Sequence, residues 1–110
     1  MKNHIHLIGY AGQDPEIRVL DNGTKLARFS LATNEYYIAR NGERKEETQW
    51  HQIVAWNKAA DMVERLVGKG RLLNIDGKLV YRHYEDKDGK KRTVAEIRAD
   101  EILVLDKRSQ

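Results

Sequence analysis

Apolar and polar residues nearly alternate in "HIHLIGY" at 4–10 and again in "KLARFSLAT" at 25–33. A period of two puts the apolar side chains on one face of an extended strand, so both segments predict β-structure. Between them "DNGT" at 21–24 is a tight-turn signal and predicts an early hairpin. "QWHQIVAW" at 49–56 is again rich in β-formers. The period then changes. In "NKAADMVERLVGKG" the residues Ala59, Met62, Val63 and Leu66 fall on one helical face, with Asn57 as candidate N-cap and Gly68 or Gly70 as the stop. Beyond the helix, "RLLNIDGKLVYRHYE" and "RTVAEIRADEILVL" return to extended patterning, joined by "DKDGKK", whose Asp-Gly pair favours a hairpin turn.

Strands, one helix and more strands predict an all-β domain: a five-stranded Greek-key OB-fold barrel with one short α-helix between strands 3 and 4. An SH3-like barrel is the structural alternative, and the position of the helix favours the OB reading. The polar stretches at 37–47 and 82–92 read as two long flexible loops able to enclose a bound strand. Without repeats, low-complexity tracts or linkers, residues 1–106 form one domain and 107–110 a short C-terminal end without an acidic tail.

Composition narrows the chemistry. A chain of 110 residues, 40% hydrophobic, has room for one modest core. The absence of cysteine excludes disulfides, thiolate nucleophiles and the common zinc motifs. No apolar run approaches the roughly 18 residues of a membrane span and the start does not resemble a signal peptide, so the expected setting is cytoplasmic, with no membrane contact. Only Ser30 and Ser109 offer hydroxymethyl nucleophiles, and no histidine pairs with them or with a carboxylate dyad; no catalytic residue, enzyme activity or cofactor is expected.

Metal sites are not expected either. His4 and His6 share a strand face but lack a cysteine or a nearby acidic partner in sequence. In "YEDKDGKKRTVA" the first and last ligand positions of a calcium loop fall on Tyr84 and Ala95. "GKG" at 68–70 follows a helix rather than opening one, which is the wrong context for a phosphate loop. The net charge of +3 is a mild basic excess that suits a polyanion. The cations gather locally, at Arg40, Arg44 and Lys45 and at Lys87, Lys90, Lys91 and Arg92.

Both tryptophans of the chain lie in "TQWHQIVAW". On a strand, Trp50, Gln52, Val54 and Trp56 share one face while His51, Ile53 and Ala55 take the other. The two indoles are therefore together, either as core or as a platform. In "LLNIDGKLVYRHY" the apolar face holds Leu73, Ile75 and Leu79, and the other holds Asn74, Asp76, Lys78, Arg82 and Tyr84. A ring beside an arginine on a wetted face suits a flat base, and Tyr36 and Tyr37 precede the basic stretch "IARNGERK" in the same manner. Cations that neutralise phosphates and rings that stack, at about 1–3 kcal/mol per base, grip unpaired nucleic acid of any sequence. Duplex bases are already stacked on one another.

In order and spacing, "LIGYAGQDPEIR", "NGTKLARFSLAT", "TQWHQIVAW" and "GRLLNIDGKL" with "DKDGKKRT" resemble the bacterial single-stranded DNA-binding protein family, over residues 3 to about 105. The resemblance implies an OB-fold homotetramer that binds single-stranded DNA without sequence preference in replication, recombination and repair, in the bacterial cytoplasm at the nucleoid. Position by position it implies base stacking by Tyr37, Trp50, Trp56 and Tyr84, and phosphate contacts by Arg18, Arg40, Lys58, Lys69 and Arg82, with Arg44 and Lys45 as further loop cations. His51 matches a histidine at the family's subunit contact, and Ile5 and Leu7 are expected in the oligomer interface with it.

The chain also departs from the pattern. Gln52 and His83 stand where the family often has cations, and Tyr37 and Tyr84 where it often has tryptophan, which implies a weaker grip per protomer. Family members usually continue into a tail with an acidic tip, whereas this chain stops at "LDKRSQ"; recruitment of other replication proteins is not carried over. Two alternatives share the fold: a primosomal replication protein-like OB dimer, which lacks the paired tryptophans, and a protein-interaction OB module, in which the aromatics are interface core.

Overall fold

The alternating segments become strands. A computed structural model describes residues 2–106 as β1 (Ile5–Ala11), β2 (Glu16–Val19), β3 (Lys25–Ile38), β4 (Arg44–Trp56), α1 (Lys58–Leu66), β5 (Leu72–Glu85) and β6 (Lys91–Val104). The C-terminal end expected at 107–110 lies outside the described residues. β1 pairs antiparallel with β5 and with β3, so the order β1-β5-β6-β4-β3 returns to its own start and closes a five-stranded barrel. Closure removes the open sheet edges. β4 meets β6 in parallel, and the short β2 lies along β3. The helix falls between the third and fourth barrel strands, which is the OB-fold arrangement expected from the pattern.

Strand parity decides which side chains fill the barrel. Ala27, Phe29 and Leu31 of β3, Ile53 and Ala55 of β4, Leu73 and Ile75 of β5, and Ile97 and Ala99 of β6 form the buried core. On β6 the inward parity then moves to Ile102, because the β5–β6 register shifts at Asp76/Gly77 and leaves one extra residue, Asp100, on β6. Gly77 is required there: a Cβ would run into the carbonyl oxygen of Arg98, a backbone atom that cannot swing aside.

The helix is amphipathic, as its spacing predicts, and buries Ala60 and Val63 against the core with Ala59 and Met62 half-buried beside them. Asn57 does not cap it through its side chain. At φ 53° its Oδ1 instead accepts the Lys25 N–H at 3.2 Å, so it fastens the helix start to β3. Lys25 adds an ion pair from its Nζ to Asp61 at 2.7 Å and another to Glu64, and the two carboxylates raise the Lys25 ammonium above its ordinary value.

The two polar stretches differ from expectation. They are not loops but the ends of long two-stranded ribbons that project from the barrel. β3 and β4 stay in register from Leu26/Trp56 to Ile38/Arg44, and β5 and β6 to Glu85/Lys91. Each ribbon turns in three residues, Arg40-Asn41-Gly42 and Lys87-Asp88-Gly89, as the early hairpin does at Asp21-Asn22-Gly23. In every case the glycine has positive φ (86°, 84° and 77° at Gly23, Gly42 and Gly89) and its N–H bonds back to the carbonyl three residues earlier. These ribbons bury neither face. Cross-strand polar pairs hold them instead, such as Thr48 to Asn34 at 2.8 Å and His83 to Thr93 at 3.0 Å, so no hydrophobic alternation marks them in the sequence.

Candidate nucleic-acid interface

Residues in register on neighbouring strands point to the same side of a sheet, so the outward face can be built row by row. Arg18 of β2 lies opposite Leu26 of β3, which lies opposite Trp56 of β4. In the next row Arg28 of β3 faces Val54 of β4, Val54 sits beside Arg98 of β6, and Arg98 faces Lys78 of β5. Further along, Ala32 faces Trp50. On the β5–β6 side the same face carries Val80 with Glu96, Arg82 with Val94, and Tyr84 with Arg92. Trp50, Trp56, Arg82 and Tyr84 therefore share one continuous outward surface.

The rings are open to solvent. Trp50 is 59% exposed and Tyr84 44%, while Trp56, nearer the barrel, is half-buried. Trp50 leans on Gly12, where a Cβ would come within 2.5 Å of the ring carbon Cζ3. The Arg82 guanidinium lies 5.2 Å from the centroid of the Tyr84 ring, a cation–π contact that presents ring and charge together. An open concavity of about 460 Å³ beside Tyr84 is lined by His83, Glu85, Lys91, Arg92 and Thr93.

Between the tryptophans and Tyr84 the sheet holds a buried carboxylate. Glu96 is only 4% exposed and receives both Arg28 and Arg82, the latter at 3.3 Å. A buried charge without such partners is costly, so Glu96 fixes two arginines of different strands in one place.

The other expected residues scatter over the surrounding surface. Arg40 sits exposed in the β3–β4 turn, Lys58 opens α1, and Lys69 lies exposed in the turn after it, where its backbone N–H bonds Asp14 at 2.9 Å. Arg18 is paired with Glu16 at 3.0 Å and Lys45 with Glu43 at 3.1 Å. Tyr37 faces Lys45, at a parity opposite to the tryptophans, on the reverse of the β3–β4 ribbon. Its neighbour Tyr36 carries the tryptophans' parity, is 57% exposed, and has the Arg44 guanidinium 4.4 Å from its ring centroid.

Of the residues expected at the oligomer interface, Ile5 and Leu7 are half-buried and packed against the core. The β1 residues that project outward are His6, Ile8 and Tyr10. His51 is half-buried opposite Leu31, with its Nε2 2.8 Å from the Thr33 hydroxyl, and burial pushes its imidazole below the ordinary histidine value.

With that geometry in view, comparison with known proteins is decisive. The model of the single-strand binding protein family matches residues 2–105. The chain belongs to this family. A single-stranded DNA-binding protein of Neisseria meningitidis serogroup A is 40% identical over 98% of the chain and 62% of its own length. One from Bacteroides thetaiotaomicron is 40% identical over 94% of the chain and 65% of its own length. The chain thus spans less than two thirds of the length of these curated relatives. Among solved structures, a Plasmodium falciparum SSB in complex with ssDNA superposes with a TM-score of 0.88 at 35% identity, covering 96% of this chain and 97% of that one. A deletion mutant of the single-stranded DNA binding protein from Thermus aquaticus gives 0.83 at 28% identity, over 97% of this chain and 52% of that one.

Several members of the face escaped the sequence reading. Arg28, Glu96 and Arg98 belong to it, and so does Tyr36 rather than Tyr37 by parity. Parity within "KLARFSLAT" and "AEIRAD" marks Arg28 and Arg98 as outward. What it cannot supply is the cross-strand neighbour that makes them part of one surface.

Proposed function

We propose that this chain binds single-stranded DNA without reading its sequence, stacking bases on Trp50, Trp56 and Tyr84 and holding phosphates with the cations around them. The observation that carries the reading is the exposed Trp50 ring on a face that also presents Arg28, Arg82, Arg98 and Lys78. A large ring left in water is useful where a flat partner will cover it. The relatives are named for binding single-stranded DNA, and the Plasmodium falciparum neighbour was solved with it. Arg18, Arg40, Arg44, Lys45, Lys58, Lys69 and Arg82 serve as phosphate contacts along and beyond the face. Tyr37, on the reverse of the ribbon, joins only if the strand wraps around that ribbon.

The reading is of a binder that leaves DNA intact, acting in replication, recombination and repair in the bacterial cytoplasm, at the nucleoid. It works as a homotetramer. The exposed Ile8, Tyr10, Leu103 and Leu105 would form part of the subunit contact, with Ile5 and Leu7 bracing β1 from the barrel side and His51 at a second contact.

Fluorescence anisotropy of labelled oligothymidylate, compared with a matched duplex across salt concentrations, tests the function. Strong single-strand preference is expected, with log K falling by about 0.7 per phosphate contact for each decade of salt. Equal binding to both forms would rule the reading out and favour a protein-interaction module.

A further inference from the structure

The row Arg28–Val54–Arg98–Lys78 holds three cations across four strands on the floor of the face, in the row next to that of Trp56. Arg28 is answered by Glu96. Arg98 and Lys78 are not: among the described residues neither makes an ion pair, although they face each other directly across the β5–β6 ladder. Like charges directly opposite on an antiparallel pair are destabilising. Arg98 is exposed and Lys78 half-buried, so the pair is not simply splayed into solvent at a ribbon tip. Around it on the same side lie the buried Val54, the tryptophan positions two and four residues away along β4, Val80, and two carboxylates already engaged, Glu96 by Arg28 and Arg82 and Asp76 by His4 and Asn74.

A phosphodiester lying between the two side chains converts this repulsion into attraction. The guanidinium offers a planar fork to two phosphate oxygens and the ammonium a second point charge. Resting on the single-strand reading above, we propose that Lys78 and Arg98 form a two-cation phosphate clamp that fixes where the DNA backbone crosses the sheet between the bases stacked on Trp56 and on Trp50. The clamp lies inside the track of bases, unlike the cations of the turns and the helix.

The test compares K78Q, R98Q and R98K with the unsubstituted protein and with W56A, using labelled oligothymidylate from 50 to 200 mM salt. K78Q and R98Q each bind more weakly at low salt. Each also flattens the salt dependence by about 0.7 in slope, so that the loss of affinity over this fourfold range shrinks by about 2.6-fold. R98K keeps the unsubstituted slope. Without DNA, the melting temperature of either glutamine variant at low salt is unchanged or slightly raised, because a like-charged neighbour has gone. An unaltered slope and affinity in R98Q would overturn the clamp, as would affinity lost together with melting temperature, which marks a structural role. Should W56A also bind normally, the single-strand reading itself fails; W56A impaired with R98Q normal sinks only the clamp.

Discussion

On the outer side of β5, Leu72, Asn74 and Asp76 lead into one surface and Lys78, Val80, Arg82 and Tyr84 into another, with the register shift at Asp76/Gly77 between them. The first continues into Ile8 and Tyr10 of β1 and into Leu103 and Leu105, all exposed. Its polar members answer one another: His4 to Asp76 at 3.1 Å, Asn74 to Asp76 at 2.9 Å, and His6 to Asn74. Glu101 faces Asp76, so this end offers a polyanion no cationic row. The second surface has rings as well, but cations share it with them: Arg82 lies over Tyr84 and Arg44 over Tyr36, and among the described residues Lys78 and Arg98 make no ion pair. Apolar exposure alone thus means different things at the two ends of one strand. With neutral and acidic neighbours it suits another protein surface, and with unpaired arginine and lysine it suits stacked bases on a phosphate chain.

Because the surfaces share a strand, the most damaging change is at their boundary. G77A drives a methyl group into the β6 backbone and should cost about 2–3 kcal/mol in urea unfolding, disturbing both ends together. The surfaces should otherwise separate. W50A and W56A are each expected to weaken oligothymidylate binding by about 1–3 kcal/mol while sedimentation still reports the same assembly. L103E should do the reverse, shifting the proposed homotetramer toward smaller species by about 1.5 kcal/mol per contact in sedimentation equilibrium, with binding of a short oligonucleotide preserved.

Smaller effects sharpen the distinction. G12A displaces the ring that leans on it, so Trp50 should lose about 1 kcal/mol or less of its binding contribution with little change in melting temperature. At the apolar end, the Asn74 amide, followed by the His4 imidazole, holds the Asp76 carboxyl below the ordinary carboxylate range. A depressed carboxylate stabilises the fold at pH above its unfolded value, and that contribution is lost as pH falls through the folded value. D76N should therefore flatten the acid limb of the stability profile below about pH 4, measured by thermal melts.

Much of this was legible before any coordinates. The alternations gave the barrel strands, the 3.6-residue period gave α1, and parity put Trp50 and Trp56 on one face, without deciding between core and platform, and Tyr84 on the wetted face of its strand. Parity also separated Leu73 and Ile75 from Lys78 and Arg82. The ribbons were not legible as strands, because a strand that buries neither face has no apolar period to show. Nor was the partnership of Glu96 with Arg28 and Arg82: the β5–β6 hairpin brings Arg82 to Glu96, but Arg28 of β3 reaches them only when the barrel closes. His4 illustrates the same limit: it has no acidic neighbour along the chain, yet Asp76 comes to it from β5. Tyr36 and Tyr37 show how narrow the margin is, because adjacent rings on a ribbon face opposite ways and only register tells which one joins the tryptophans.

The proposed function rests on unpaired bases stacking on Trp50, 59% exposed, and on the half-buried Trp56. Its most direct test is tryptophan emission during titration with oligothymidylate at low ionic strength, in the unsubstituted protein and in W50F and W56F. The expected result is saturable quenching that falls in each variant, is reversed by salt, and is absent with a matched duplex. Emission that stays constant while the oligonucleotide binds would contradict it.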